Sequence, residues 1–145
     1  MLDKEILEIE VVWNDADLLE LNTIASNGRY AGIVNTYTQD TYLQEFASKL
    51  LVFPKTISDT IIFESDYRLG NSSLSLKFYC IDGVGHTAVD INMEELSSSD
   101  SEADKSKVSF LLTCNIQQIQ FFSQQLLKMA NNREGIANLI KVNQT

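Results

Sequence analysis

The sequence contains few of the residues from which catalytic and metal centres are usually built. Its 145 residues include one histidine, His86, and two cysteines, Cys80 and Cys114. A zinc site needs several cysteine and histidine ligands at short spacings, and this set does not provide them. Two cysteines are also too few for a disulfide framework, so we expect two reduced and largely buried thiols. The sequence predicts no metal site and no cofactor.

Long apolar segments are missing as well. No window approaches the roughly 18 consecutive apolar residues of a membrane-spanning helix. The N-terminal MLDKEILEIE carries charges where a signal peptide has an apolar centre. The composition, 44% apolar and 21% charged, is ordinary for a folded globular protein. We therefore predict a single domain over residues 1–145, located in the cytoplasm and with no membrane partner.

Basic residues are outnumbered by acidic ones. The chain has 11 Lys and Arg against 20 Asp and Glu, which gives a net charge of −9. The excess is local, because residues 1–20 contain seven acids beside Lys4 and residues 94–104 contain five acids and no base. An acidic field repels a phosphate backbone. The charge disfavours nucleic acid as a partner and suits a basic protein.

The first half of the chain shows strand periodicity followed by helix periodicity. Apolar residues alternate over 6–13, 19–25 and 30–37, and Asn27-Gly28 is typical of a tight hairpin turn. From Tyr42 onward apolar residues recur at helical spacing, and Pro54 ends the predicted helix. Three strands and one amphipathic helix are expected here.

The second half repeats this order. Strands are predicted over 57–64, 74–80, 87–93 and 108–114, with a hairpin turn at Asp82-Gly83 and a solvated loop over 95–107. A helix is predicted over 116–130, and the spacing of Ile136, Leu139 and Ile140 suggests a short last helix. The predicted fold class is α+β, with mainly antiparallel sheet and two main amphipathic helices.

The two predicted helices invite an alignment of the two halves. If Leu43 is laid on Ile119, then Phe46 falls on Phe122 and each helix follows a strand. This match allows two related units, each a β-meander followed by a helix. Any two amphipathic helices that follow strands would also align this well, so both interpretations stay open.

Cys80, Asp82 and His86 form the one pattern that suggests catalysis. A nucleophilic cysteine needs a neighbouring base, and that base needs an acceptor to orient it. The hairpin turn could bring His86 close to Cys80. However, Asp82-Gly83 is explained as turn chemistry, and Cys80 continues the apolar alternation of its strand. A small cysteine-dependent enzyme is therefore the second hypothesis, and a single-stranded nucleic-acid binder, suggested only by the repeated sheet-plus-helix pattern, is the third.

Three segments carry a family resemblance. They are SNGRYAG at 26–32, LLVFP at 50–54, and LSLKFYCID at 74–82 followed by Gly85-His86. These segments look like a group of small bacterial proteins that resembles the WapI-type immunity proteins. The resemblance covers about residues 18–130 and its motifs are structural. It implies a cytoplasmic protein that binds and neutralises a toxin, and it marks no contact residues.

Acidic side chains are the predicted contacts to such a partner. The candidates are Glu8, Glu10, Asp15, Asp17, Glu20, Asp100, Glu102 and Asp104. Aromatic residues such as Trp13 and Tyr37 are types that anchor protein interfaces. The first hypothesis is accordingly a non-enzymatic protein-binding module, an immunity protein that neutralises a basic toxin domain.

Overall fold

The fold is built from eight strands and two helices in the part of the chain that the computed structural model describes, residues 4–66, 68–96 and 105–141. In chain order these elements are β1 (Glu5–Asp15), β2 (Leu18–Asn27), β3 (Ala31–Gln39), α1 (Asp40–Leu51), β4 (Thr60–Glu64), β5 (Ser72–Cys80), β6 (His86–Leu96), β7 (Lys105–Asn115), α2 (Ile116–Asn132) and β8 (Gly135–Lys141). This order confirms the predicted α+β fold with mainly antiparallel sheet.

The strands form two four-stranded antiparallel sheets, and the last strand of each half of the chain belongs to the sheet of the other half. Sheet A has the order β3-β2-β1-β8, and sheet B has the order β4-β5-β6-β7. Each half of the chain makes a three-stranded meander, then a helix, then one more strand that crosses to the other sheet. β4 pairs with β5, and β8 pairs with β1. Each sheet is therefore completed by a strand from the other half.

The alignment of the two halves extends to the buried faces of the helices. If Asp40, the first residue of α1, is laid on Ile116, the first residue of α2, every buried residue of α1 falls on a buried residue of α2. These residues are Leu43, Phe46, Ala47 and Leu50, which fall on Ile119, Phe122, Ser123 and Leu126. The structure supports two related units, and the exchange of strands between them is a feature that the sequence pattern did not contain.

Helix α2 begins at a reciprocal capping pair. The Asn115 side chain accepts the Gln118 N–H, and the Gln118 side chain accepts the Asn115 N–H, each at 2.9 Å. The helix ends at Arg133, which has a left-handed φ of 59°. Within the described residues, neither helix is long and apolar enough to cross a membrane.

Aromatic rings connect sheet B to both helices. Phe46 of α1 contacts Phe63 of β4 and Phe78 of β5, with ring centroids 5.1 and 5.9 Å apart. Phe78 in turn lies 6.3 Å from Phe122 of α2. The two helices contact each other, and their buried faces join the inner faces of both sheets in one core cluster.

The predicted last helix is wrong, because residues 135–141 form strand β8. Ala137 and Leu139 are buried while Ile136 is exposed, which is the alternation of a strand. The segment pairs with β1 over its whole length, from Glu5 opposite Lys141 to Val11 opposite Gly135. A strand with apolar residues on both faces also satisfies the helical spacing of three isoleucine and leucine residues, so the spacing alone could not decide.

Two predicted boundaries also shift. The predicted loop over 95–107 is shorter, because β6 runs to Leu96 and β7 begins at Lys105, with Glu95 paired to Ser106. The predicted strand over 57–64 begins only at Thr60, since Asp59 accepts the Lys55 N–H at 3.0 Å and forms a turn before it.

Gly32 of β3 lies close to side chains of sheet B. A Cβ atom on this residue would lie 2.7 Å from the Met93 sulfur and 2.9 Å from a Val108 methyl carbon. In the alignment that lays α1 on α2, Gly32 falls on Val108, so equivalent positions of the two halves meet here. A side chain larger than hydrogen would push β3 away from β6 and β7.

We expect Gly32→Ala to destabilise the protein by roughly 1–2 kcal/mol, because overpacking outweighs the entropy that alanine removes from the unfolded chain. Gly83→Ala is the matched control, since its Cβ would meet Ile57 at an ordinary 3.4 Å. Its effect should stay within about 0.5 kcal/mol. Urea unfolding of the three proteins measures this, and equal effects of the two substitutions would refute the close approach.

Candidate functional site

Sheet A turns one face towards the core and the other outward. On β2 the buried Leu19, Leu21 and Thr23 alternate with outward positions. A group of these outward positions, which carry acidic, amide, aromatic and exposed aliphatic side chains, forms what we call the acidic face. It comprises Glu8, Glu10, Trp13 and Asp15 of β1, Glu20 and Asn22 of β2, Ile33, Asn35 and Tyr37 of β3, and Ile136 of β8.

The strand register places the predicted acids on this face. Glu8 lies opposite Ile24, and Glu10 lies opposite Asn22. A register shift between Val11 and Trp13 then brings Trp13 opposite Glu20 and leaves Asp15 opposite Leu18. The bulge therefore keeps the indole and the later acid on the same side as the earlier ones.

The remaining predicted acids are elsewhere. Asp17 lies in the turn between β1 and β2, where its C=O accepts the Asp40 N–H at 2.9 Å. Asp100, Glu102 and Asp104 lie outside the described residues. The structure thus brings together four of the predicted contacts, and it leaves Asp17 at the rim of the acidic face.

A chain of side-chain hydrogen bonds holds the Glu20 carboxylate towards β3, the edge strand of sheet A. The Asn22 amide donates to the Asn35 oxygen at 2.6 Å, and the Asn35 amide donates to a Glu20 carboxylate oxygen at 3.1 Å. Glu20 belongs to β2, but its carboxylate is held over β3. Sequence reasoning missed this link, because it depends on which residues of neighbouring strands lie opposite each other.

Exposed apolar side chains lie among the acids. Trp13 is 45% exposed, Ile33 61% and Ile136 45%. Trp13 also lines a shallow cavity of about 530 Å³ with Tyr37 and Leu69. Large apolar groups beside uncompensated charge are typical of a protein interface, where they supply most of the binding energy.

The outward face of sheet B differs in charge although its strand order is equivalent. Lysines 77, 105 and 107 lie there among Glu64, Asp90 and Glu94. Lys77 lies opposite Asp90 on the neighbouring strand, and the Glu94 carboxylate lies 2.7 Å from the Lys105 ammonium. Strands β1, β2 and β3 contain no lysine or arginine, and the one base in the strands of sheet A is Lys141 of β8, which lies 3.6 Å from Glu5. Sheet B thus carries charges of both signs on its outward face, whereas β1, β2 and β3 carry acids only.

The register separates Cys80 from His86. Cys80 lies opposite Thr87, so its side chain shares a face with Thr87, and His86 points to the other face. The His86 ring nitrogen Nδ1 lies 2.6 Å from an Asp82 carboxylate oxygen. Hydrogen bonds from His86 and Val84 hold the pKa of Asp82 below its usual value. This contact fixes the hairpin turn and does not reach the thiol.

The cleft beside this turn contains a different cysteine. It has a volume of about 730 Å³ and is lined by Asp82, His86, Lys141 and Cys114, but not by Cys80. Cys114 is buried, and its sulfur lies 3.4 Å from the Thr87 hydroxyl oxygen. Burial raises the pKa of Cys114 and, together with the charges of Asp59 and Asp82, that of Cys80. A raised pKa favours the protonated form of a thiol at neutral pH, which is the less nucleophilic form.

We expect Cys80 to react slowly with iodoacetamide at neutral pH, with a half-maximal rate at a higher pH than in the unfolded chain. The sign follows from the raised folded-state pKa: the thiol stays protonated where a free cysteine ionises, and raising the pH above that point favours unfolding. Peptide-resolved mass spectrometry separates Cys80 from Cys114. His86→Ala should leave the profile of Cys80 unchanged, and a marked loss of reactivity would instead favour the cysteine-dependent enzyme.

Neither metal-ligand geometry nor comparison with known proteins assigns a function to this site. Among the described residues, no group of three or more histidine, cysteine, aspartate and glutamate side chains could hold a metal ion. No protein-family model matches the chain, and no curated protein or solved structure matches it significantly.

Proposed function

We propose that this chain is a non-enzymatic protein-binding module whose acidic face binds a basic protein domain. The observation that carries the proposal is the contrast between the two sheets. The strands of sheet B bear charges of both signs, whereas β1, β2 and β3 of sheet A bear acids only, beside exposed Trp13 and Ile33. Within the described residues no ion pair joins Glu8, Glu10 or Asp15 to a base, so these charges are available to an external partner.

The acidic face suits electrostatic steering followed by apolar contact. Clustered charge of one sign accelerates association with a partner of opposite sign. Rim charges mainly set the association rate, while buried aromatic and aliphatic groups set the dissociation rate. Glu8 and Glu10 would act in the first way, and Trp13 and Ile136 in the second.

The partner that we propose is a toxin domain, which would make the chain an immunity protein. This step is supported by the resemblance of residues 26–32, 50–54 and 74–86 to WapI-type immunity proteins. A toxin that acts on nucleic acid needs a basic surface, and an acidic protein can cover that surface. The same charge disfavours direct binding of nucleic acid by this chain.

The test takes the product of the gene next to the one that encodes this chain as the candidate toxin domain, and it measures whether the chain binds and neutralises that product. We expect the double substitution Glu8→Lys and Glu10→Lys to weaken binding roughly 100-fold, mostly through a slower association rate, because it reverses the charge that steers the partner. Surface plasmon resonance at low and high salt separates the two rates. A co-expression assay measures whether cells survive the toxin.

The matched control is Glu45→Lys with Glu64→Lys, which changes the net charge equally but lies on α1 and sheet B. It should bind within about twofold of the unsubstituted chain at low salt. Equal loss in both variants would show that only total charge matters. Failure of the unsubstituted chain to bind or neutralise the toxin domain would refute the proposal.

A further inference from the structure

The edge strands of the two sheets differ in how their free backbone groups are protected. On β8, Gln125 accepts the Asn138 N–H at 2.7 Å, and Gln118 donates to the Ile140 C=O at 3.1 Å. On β4, the Tyr42 hydroxyl accepts the Glu64 N–H at 3.2 Å. On β7, Asn27 donates to the Leu111 C=O at 3.0 Å. Such contacts block the addition of another strand.

The edge of β3 has one such contact, near its C-terminal end. The Asp66 N–H donates to the Tyr37 C=O at 2.8 Å. Backbone groups of successive residues in an antiparallel strand point to opposite sides, so Ile33 and Asn35 also direct their N–H and C=O groups away from β2. Within the described residues these groups have no hydrogen-bond partner, and Ile33 is 61% exposed.

The sequence of β3 lacks the usual protection of an edge. Its residues AGIVNTYTQ include no charged side chain and no proline. By comparison, β7 carries Lys105 and Lys107, and β4 is five residues long and carries Glu64. Lysines, prolines and short length are the devices by which edge strands avoid pairing with other chains. β3 has nine residues and none of these devices.

A groove runs beside this edge. It has a volume of about 320 Å³, and its lining includes Gly32 and Val34 of β3 and Met93, Glu95 and Val108 of β6 and β7. A strand added to β3 would direct alternate side chains into the groove and onto the acidic face. The groove is apolar at Met93 and Val108, and the acidic face offers the Glu20 carboxylate that Asn35 holds over β3.

We propose that the basic partner places an extended segment along β3 as a fifth strand of sheet A. This inference rests on the proposed function and specifies how the partner binds. Small apolar side chains of the segment enter the groove, and lysine or arginine side chains on the other face reach Glu20, because adjacent strands lie only about 4.8 Å apart. Main-chain bonds to Ile33 and Asn35 hold the segment in register.

Charge argues against a second copy of this chain as the occupant. Pairing of two β3 edges would place two acidic faces side by side, in a chain with a net charge of −9. A basic segment instead neutralises Glu20 and has no such repulsion. The proposal therefore commits to an extended basic peptide segment.

The experiment uses an acetylated and amidated peptide of alternating lysine and valine, with a glutamate–valine peptide as the charge control. Amide hydrogen exchange is followed by NMR. We expect the Ile33 and Asn35 amides, which are free in the isolated chain, to exchange roughly tenfold more slowly with the lysine peptide. The Gly32 and Val34 amides, which face β2, should change little.

Substitution of Ile33 tests the same contact by binding. Proline removes the N–H that the added strand needs and is tolerated on an edge, so Ile33→Pro should weaken binding roughly tenfold. Ile33→Val keeps both the N–H and a β-branched apolar side chain, so it should lose much less binding than Ile33→Pro. If Ile33→Pro fails to fold, the rates of amide hydrogen exchange at Ile33 and Asn35 in the unsubstituted chain, with and without the lysine peptide, still test strand addition.

Three outcomes would overturn strand addition. The first is that the lysine peptide binds but does not slow amide exchange at Ile33 and Asn35. If the double substitution Glu8→Lys and Glu10→Lys then abolishes this binding, the peptide binds at the acidic face and the proposed function stands. A second is no binding of the peptide, which leaves the toxin-binding assay to judge the proposed function. A third is slower exchange at these amides from self-association alone, which would identify a second copy as the occupant.

Discussion

The exchange of final strands between the two halves is the constraint on which the other features depend. β4 leaves the first half to complete sheet B, and β8 leaves the second half to complete sheet A. Each sheet therefore contains strands of both halves, and one core joins them, so we expect the halves to unfold in a single cooperative transition. The helices contact each other, and Gly32 of β3 lies close to the Met93 and Val108 side chains of sheet B. The shared strands and the shared core tie the two halves into one structure.

The two halves have equivalent frameworks but different outer surfaces. The buried positions of α1 all fall on buried positions of α2 when the helices are aligned. Outward positions contribute little to the core, so they can diverge freely. Sheet B has paired charges such as Glu94 with Lys105, whereas β1, β2 and β3 of sheet A have no base. The asymmetry between the two outer faces is therefore a stronger indication of function than the total charge.

Sequence periodicity predicted helices and strands correctly where one face of the element is buried. The strands of both meanders, the hairpin turns at Asn27-Gly28 and Asp82-Gly83, and both main helices follow from alternation, helical spacing and turn residues. It failed at β8, because a seven-residue strand with apolar side chains on both faces has the spacing of a helix. It also could not show which strands pair across the halves, since β1 and β8 lie at opposite ends of the chain and only tertiary contact joins them.

The candidate site, like the fold, could be predicted from the sequence only in part. The concentration of acids near the N-terminus was visible in the sequence, and the alternation of β1 accounts for Glu8 and Glu10 sharing a face. The position of Trp13 and Asp15 on that face depends on the register shift after Val11, which no local sequence pattern predicts. The separation of Cys80 from His86 likewise follows from pairing with Thr87, whereas the sequence showed only that they are close along the chain.

The pairing of β1 with β8 has a consequence for synthesis. β1 emerges from the ribosome early and meets β2 at once, but its other side remains unpaired until β8 has been made. At ordinary translation rates this interval is on the order of ten seconds. During that time the nascent chain presents β1 as an open edge, and its alternate glutamates, Glu8 and Glu10, discourage pairing with other nascent chains. The acids of the outward face would thus protect the protein before it is complete, independently of any partner that they bind afterwards.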